Sequence, residues 1–153
     1  MKKTYLLFLL CMLLIFAANG EANAKKPSVA VGGAPVIECT DLAAAFSYPN
    51  TTLTSVTLAT EGSVVVAGIG PMPEHCIVKG KMNERVSPID GKTYAIGFEM
   101  RVPTDWNGRF FYQGNGGTDG IVSPAYGGIL GGGPTSNGLL KGFAVISSDA
   151  GHA

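Results

Sequence analysis

FEMRVPTDWNGRFFYQGNGGTDG, residues 98–120, decides how this chain is read. Its opening belongs to a longer run, Lys92–Val102, with the β-branched and aromatic content of a strand. Pro103–Gly108 is a polar turn, Arg109–Gln113 a short second strand, and a glycine-rich loop then runs from Gly114 to Gly133. Phe110-Phe111-Tyr112 lacks polar alternation, which predicts a strand buried on both faces. In QGNGG, Gly114, Gly116 and Gly117 allow backbone N–H groups to face a cleft that a side chain would block. Such donors can stabilise an acyl-transfer oxyanion, each by about 3–4 kcal/mol. Glycine loops are also common without any ligand, and spacing alone favours that plainer reading.

Upstream, Asp41–Phe46 suggests a short helical turn, and Thr51–Ala59 alternates as a strand, a theme that Ser63–Ala67 continues. Gly68–Pro73 is a turn, and His75–Lys79 a short strand. Val86–Gly91, with Pro88 and Asp90-Gly91, carries a hairpin signal. Downstream, Asn137–Lys141 suggests a helix and Gly142–Ser148 a strand that is apolar up to its last two residues. An antiparallel, half-buried β front followed by two doubly buried strands predicts the α/β class rather than a sandwich. No solenoid-period repeat interrupts it.

The chain has 153 residues, enough for one domain. Residues 1–24 stand apart from it. Lys2 and Lys3 precede an apolar run from Tyr5 to Ala18, and Ala22-Asn23-Ala24 closes with small residues. That order is a secretory signal peptide with cleavage after Ala24. The apolar run, of about 14 residues, is short of the roughly 20 that span a bilayer. Cys11 follows Leu10, where a lipoprotein signal would have a small residue, and is read as apolar filler. Lys2, Lys3 and Glu21 leave with the segment, taking the formal charge from zero to −1. No basic patch is left for nucleic acid, and no membrane association is expected after cleavage. Residues 25–37, with Pro27, Gly32, Gly33 and Pro35, form an expected flexible leader. Two cysteines remain, Cys39 and Cys76, and an oxidising compartment closes such a pair. A metal site would need more thiolates or histidines than His75 supplies, so no metal is expected.

Several chemistries drop out. With Gly114 and Gly116 in place, the third glycine of a dinucleotide fingerprint would fall on Asp119. No P-loop and no G-x-S-x-G elbow occurs, and Ser136 has the wrong flanking residues. Ser147, Ser148, Asp149 and His152 do not make a triad, which is usually assembled from distant segments. Asp149 and His152 instead suggest a structural part near a site at the sheet's carboxyl edge, or simply a polar strand end. Trp106, beside Asn107-Gly108, is read as a packing residue rather than a substrate contact. The expected set of catalytic residues is therefore empty.

Cys39-Thr-Asp-Leu42, His75-Cys-Ile-Val-Lys-Gly80, Phe98-Glu99 with Pro103, Trp106-Asn-Gly-Arg-Phe110, Gly114-Asn-Gly-Gly117, Gly142-Phe-Ala-Val145 and Ser148-Asp-Ala-Gly-His152 occur in that order. Together they resemble the amino-terminal part of the tannase and feruloyl esterase family. The resemblance implies a secreted or periplasmic α/β-hydrolase fold that cleaves small aromatic acid esters, feruloyl or galloyl among them. It implies that residues 38–153 are the first portion of the hydrolase domain, truncated before the nucleophile. Gly116 and Gly117 then become the oxyanion donors, and Cys39–Cys76 a bridge shared with relatives. The family's serine lies in a Gly-Cys-Ser-x-Gly-Gly segment that this chain lacks. Its aspartate, its histidine and its calcium-binding lid have no counterpart either. No cofactor is expected in this chain, calcium belonging to the lid of a full-length parent, and the chain is expected to be inactive. The further strands of such a sheet would also be absent, leaving an apolar edge exposed. The alternative is a small secreted, disulfide-bonded, β-rich binding domain without catalysis.

Overall fold

The structure, a computed structural model, describes residues 29–114, 116, 120–128 and 135–152. The expected signal peptide, the leader up to residue 28 and Gly117 lie outside the described residues.

Seven strands can be placed: β1 (Thr51–Ala59), β2 (Val65–Val66), β3 (Gly70–Pro71), β4 (His75–Val86), β5 (Thr93–Pro103), β6 (Phe110–Gln113) and β7 (Ala144–Ser148). Among the described residues, helix is limited to α1 (Leu42–Ala45) and a 3-10 turn at Leu139–Lys141. Five strands make one mixed sheet in the order β1-β4-β5-β7-β6, while β2 and β3 pair separately. All ladders of the large sheet are antiparallel except β6–β7, which is parallel. The fold is thus sheet-dominated among the described residues.

Three expectations need correction. The strand expected at His75–Lys79 runs on to Val86, because the hairpin at Ser87–Lys92 holds both arms together. Ser87 N–H donates to Lys92 O at 2.8 Å, and the Ser87 hydroxyl accepts from the Ile89 and Asp90 amides. The segment at Ser63–Ala67 supplies only the two residues of β2. Most important, β6 is not buried on both faces, since Phe110 and Tyr112 are each 57% exposed. The reason is position: β6 is the edge strand, with β7 as its neighbour and only the Phe111 face packed against the core.

Alternation along β4 and β5 splits the sheet's residues between two faces. One face carries Cys76, Val78 and Phe98, with Leu53, Val56, Met82, Met100 and Ile146 packed around them. Cys39 and Leu42 cover that cluster, and the Cys39–Cys76 disulfide (S–S 2.06 Å, sequence separation 37) anchors the segment leading into α1. The other face packs Val145 against Met72, Ala125 and Leu139, which come from the connections before β4 and between β6 and β7. Gly80 is required by close approach: a Cβ there would lie 2.5 Å from the Phe98 ring and 2.7 Å from Thr52 O.

The WNGRF turn docks on the start of β7. The Asn107 amide donates to Lys141 O at 2.7 Å, its backbone N–H to Gly142 O at 2.9 Å, and its Oδ1 accepts from Arg109 N–H. Trp106 is half-buried and donates its indole N–H to Arg109 O at 2.7 Å. The described part of the leader makes an antiparallel bridge there, Gly33 with Trp106. Gly108, at φ 80°, has no room for a Cβ, which would lie 2.4 Å from Val31 O.

A disulfide closing a loop of this length stabilises by about 3.5–4 kcal/mol in the chain-entropy model. Replacing both cysteines by serine is expected to lower resistance to urea by that order. An unchanged urea midpoint would show that the bridge contributes nothing.

Candidate functional site

The parallel pair β6–β7 sends both of its strands toward one edge of the sheet. Gln113 stands beside Ser147, so the glycine loop after Gln113 and the Asp149–His152 turn leave the sheet side by side. In open α/β sheets, ligand crevices form outside the carboxyl ends of such strands. Gly114 and Gly116 are exposed there. The Tyr112 hydroxyl lies 3.2 Å from the Ser148 hydroxyl, tying the two strand ends together.

Asp149 and His152 come together through the backbone. Ala150 (φ 55°) and Gly151 (φ 78°) fold the chain back, and His152 N–H donates to Asp149 O at 3.1 Å. The Asp149 carboxylate, largely buried, accepts from Gly97 N–H at 3.1 and 3.0 Å and from Gly151 N–H at 2.7 Å. Its oxygens fasten the turn to β5, while the His152 residue stays exposed. Gly97 leaves room for this arrangement, because a Cβ there would lie 2.7 Å from Asp149 Oδ2.

Behind this edge lies a buried polar network that the sequence reading missed. Glu99, Arg101 and His75 are 3%, 6% and 0% exposed. Arg101 Nε donates to Glu99 Oε1 at 2.7 Å, and Arg101 Nη1 lies 2.9 Å from His75 Nε2. His75 Nδ1 lies 2.6 Å from Pro73 O. A carbonyl only accepts and a guanidinium only donates, so the proton must sit on Nδ1 and the imidazole is neutral. Glu99 Oε1 also accepts from Ala125 N–H at 3.0 Å, and Lys79 Nζ lies 3.4 Å from Glu99 Oε2. The Arg101 guanidinium stacks over the Tyr126 ring at 4.4 Å. Two charged residues spaced two apart, in the strand expected at Lys92–Val102, were the available signal, since that spacing puts both on one face.

The electrostatics follow from this geometry. Burial pushes the Glu99 carboxyl up, but the Ala125 N–H, Arg101 and Lys79 outweigh it and hold the group below its ordinary 4.5. Burial pushes His75 down; the Pro73 carbonyl opposes, Arg101 adds to the lowering, and the result lies below the ordinary 6.5.

Among the described residues, no group of three or more His, Cys, Asp or Glu is arranged to hold a metal ion. No described helix is long and apolar enough to cross a membrane. A shallow hollow of about 480 Å³ lies beside the β4–β5 hairpin, lined by Arg85, Ile89, Tyr94 and Gly151 among others, not over Gly114–Gly116.

Both shifts make stability depend on pH with the same sign. A depressed native pKa means that the unfolded chain binds the proton more readily, so acid favours unfolding. The His75 contribution is complete above 6.5 and is lost as pH falls from there through the native value. The Glu99 contribution is lost in the same direction, below 4.5. The Tm is expected to fall between about pH 7.5 and about pH 5.5, with a smaller fall in H75Q; equal slopes would remove His75 as the cause. Arg101→Met, which strands Glu99 in the interior, is expected to cost about 3–5 kcal/mol, read by urea unfolding.

Comparison with known proteins adds the family context. The family described as "Tannase and feruloyl esterase" matches residues 76–153. A mono(2-hydroxyethyl) terephthalate hydrolase of Piscinibacter sakaiensis is 42% identical over 106 residues, covering 69% of this chain and 17% of that protein. An uncharacterized esterase of Agrobacterium fabrum (strain C58) is 31% identical over 80 residues, covering 52% of this chain and 14% of that protein. The chain therefore spans about a sixth of the length of these curated relatives.

Proposed function

The chain belongs to the tannase and feruloyl esterase family, and from that premise we propose that it is the amino-terminal portion of a secreted carboxylic ester hydrolase acting on aromatic acid esters. The observation that carries this reading is the parallel β6–β7 pair, which delivers the glycine loop and the Asp149 turn to one sheet edge. In this reading, residues 38–153 are the opening part of an α/β-hydrolase domain. The backbone N–H of Gly116 or Gly117 donates to the oxyanion formed when a serine attacks the ester carbonyl. Losing one such donor costs about 3–4 kcal/mol of transition-state stabilisation in acyl transfer.

The nucleophile comes from elsewhere, because no G-x-S-x-G segment occurs in these 153 residues. Asp149, with its carboxylate held by Gly97 and Gly151, shapes the site's floor and performs no proton transfer. Calcium, in this reading, is held by a lid outside the chain. The aromatic acid class is supported by the similarity to a terephthalate monoester hydrolase. The Cys39–Cys76 bridge suits an exported protein. Family membership favours this reading over a small binding domain.

Two measurements test it. The purified chain is expected to hydrolyse neither methyl ferulate nor methyl gallate above the buffer rate, and turnover would refute its inactivity. Sequencing the DNA beyond codon 153 is expected to reveal a Gly-Cys-Ser-x-Gly-Gly segment in frame. Finding none in any frame would sink the parent-enzyme reading.

A further inference from the structure

The β4–β5 hairpin extends past the rest of the large sheet. β1 is in register with β4 only as far as Met82, and β7 with β5 only from Phe98 onward. Residues 83–86 and 93–97 therefore have no third strand beside them among the described residues. At about 3.4 Å per residue, the arm 93–97 rises roughly 15 Å beyond Ser148, at the edge where β6 and β7 end.

The hairpin is fastened at its base and cross-tied at its tip. At the base, the Asp149 carboxylate accepts from Gly97 N–H. At the tip, the Tyr94 hydroxyl donates to Asp90 Oδ2 at 2.6 Å and Lys92 N–H donates to Asp90 Oδ1 at 3.2 Å. Arg85 and Tyr94 stand opposite one another in register, so their side chains share a face. Ile96, two residues beyond Tyr94, lies on the same face. Gly151 comes against it, since a Cβ there would lie 3.3 Å from Ile96 Cγ1. The hollow of about 480 Å³ is lined by both parts: the hairpin supplies Arg85, Val86, Pro88, Ile89 and Tyr94, and the turn after β7 supplies Gly151.

The chemistry of this lining selects its occupant. Val86 and Ile89 are 65% and 94% exposed, so apolar surface faces water beside the hollow. Arg85 is exposed and has no ion pair among the described residues; its Nη1 donates only to Asn83 O, at a long 3.4 Å. Asp90, the carboxylate in the lining, already uses both oxygens on Tyr94 and Lys92. The guanidinium is thus the group left with open hydrogen-bonding capacity, and it stands next to apolar side chains. We propose that this hollow binds a small carboxylate with an apolar body. Arg85 takes the carboxylate, whose two oxygens match the planar fork of a guanidinium. Val86, Pro88 and Ile89 cover the apolar part. The site lies away from Gly114 and Gly116 and involves no bond breaking, so it is additional to the ester reading.

The test is an NMR titration of the isotope-labelled chain with benzoate. Saturable shifts are expected at the Arg85 Nε–H and at the amides of Ile89, Tyr94 and Gly151, with a Kd of about 1–10 mM, the scale of a small ligand in a shallow site. Benzamide has the ring without the charge, and acetate the charge without the ring. Each is expected to bind at least about fivefold more weakly than benzoate. Arg85→Gln is expected to weaken benzoate about tenfold or more, and Ile89→Ser about threefold. Unchanged shifts at Val56 and Val78 check that each variant keeps the fold. The comparison of the three ligands on the unaltered chain holds whatever the variants do. No saturable shift at these residues up to about 50 mM benzoate would overturn the proposal, because that is far weaker than a built site gives. So would acetate matching benzoate, or full benzoate binding by R85Q. The ester reading is decided separately, by the sequence beyond codon 153.

Discussion

The buried pairing of Glu99 with Arg101 is the constraint around which the rest is arranged. Two charges 3% and 6% exposed are tolerable only if nearly every donor and acceptor is used. Arg101 therefore takes Glu99, the His75 imidazole and the Tyr126 face, and Glu99 takes Arg101, Lys79 and the Ala125 amide. Among the described residues, no buried side-chain nitrogen or oxygen is left without a hydrogen bond. A hydrophobic replacement of similar shape would pack as well, but it would not select where residues 124–127 sit. The polar pair does, because its bonds are directional and leaving one unmade costs about 1–3 kcal/mol.

The two faces of the sheet solve different problems. On the disulfide face, apolar side chains and the Cys39–Cys76 bridge cover β4 and β5, and little there needs precise orientation. On the other face, connections replace helices as the cover, and connections bring unpaired backbone groups with them. Glu99 and Gln113 supply partners for those groups at Pro124, Ala125 and Gly127. Residues 124–127 can thus be irregular in backbone and still fitted to the sheet.

The motifs that link this chain to its family are now physical statements. WNGRF is a turn whose Asn107 bonds the backbone at Lys141 and Gly142 and whose Gly108 lets residue 31 pass. SDAGH is a return in which the Asp149 carboxylate fastens two glycine amides, those of Gly97 and Gly151. QGNGG begins at Gln113, the end of the edge strand in a parallel pair, a placement that spacing alone cannot provide. The chain covers about a sixth of the length of its curated relatives.

Local composition determined much of this by itself. The β-rich character, the strand at Thr51–Ala59, the strand expected at Lys92–Val102 and found at Thr93–Pro103, the hairpin at Asp90-Gly91 and the cysteine pair follow from period-two alternation, turn chemistry and cysteine arithmetic. Each depends on residues close in sequence or few in number. The exposure of Phe110 and Tyr112 was not legible, because an apolar run is the same whether a strand is central or at an edge. Nor was the partnership of Gln113 with Pro124 and Gly127, or of Glu99 with Ala125, since register between distant strands decides which side chains share a rung. Only tertiary structure sets that register, and with it the place where the glycine loop stands.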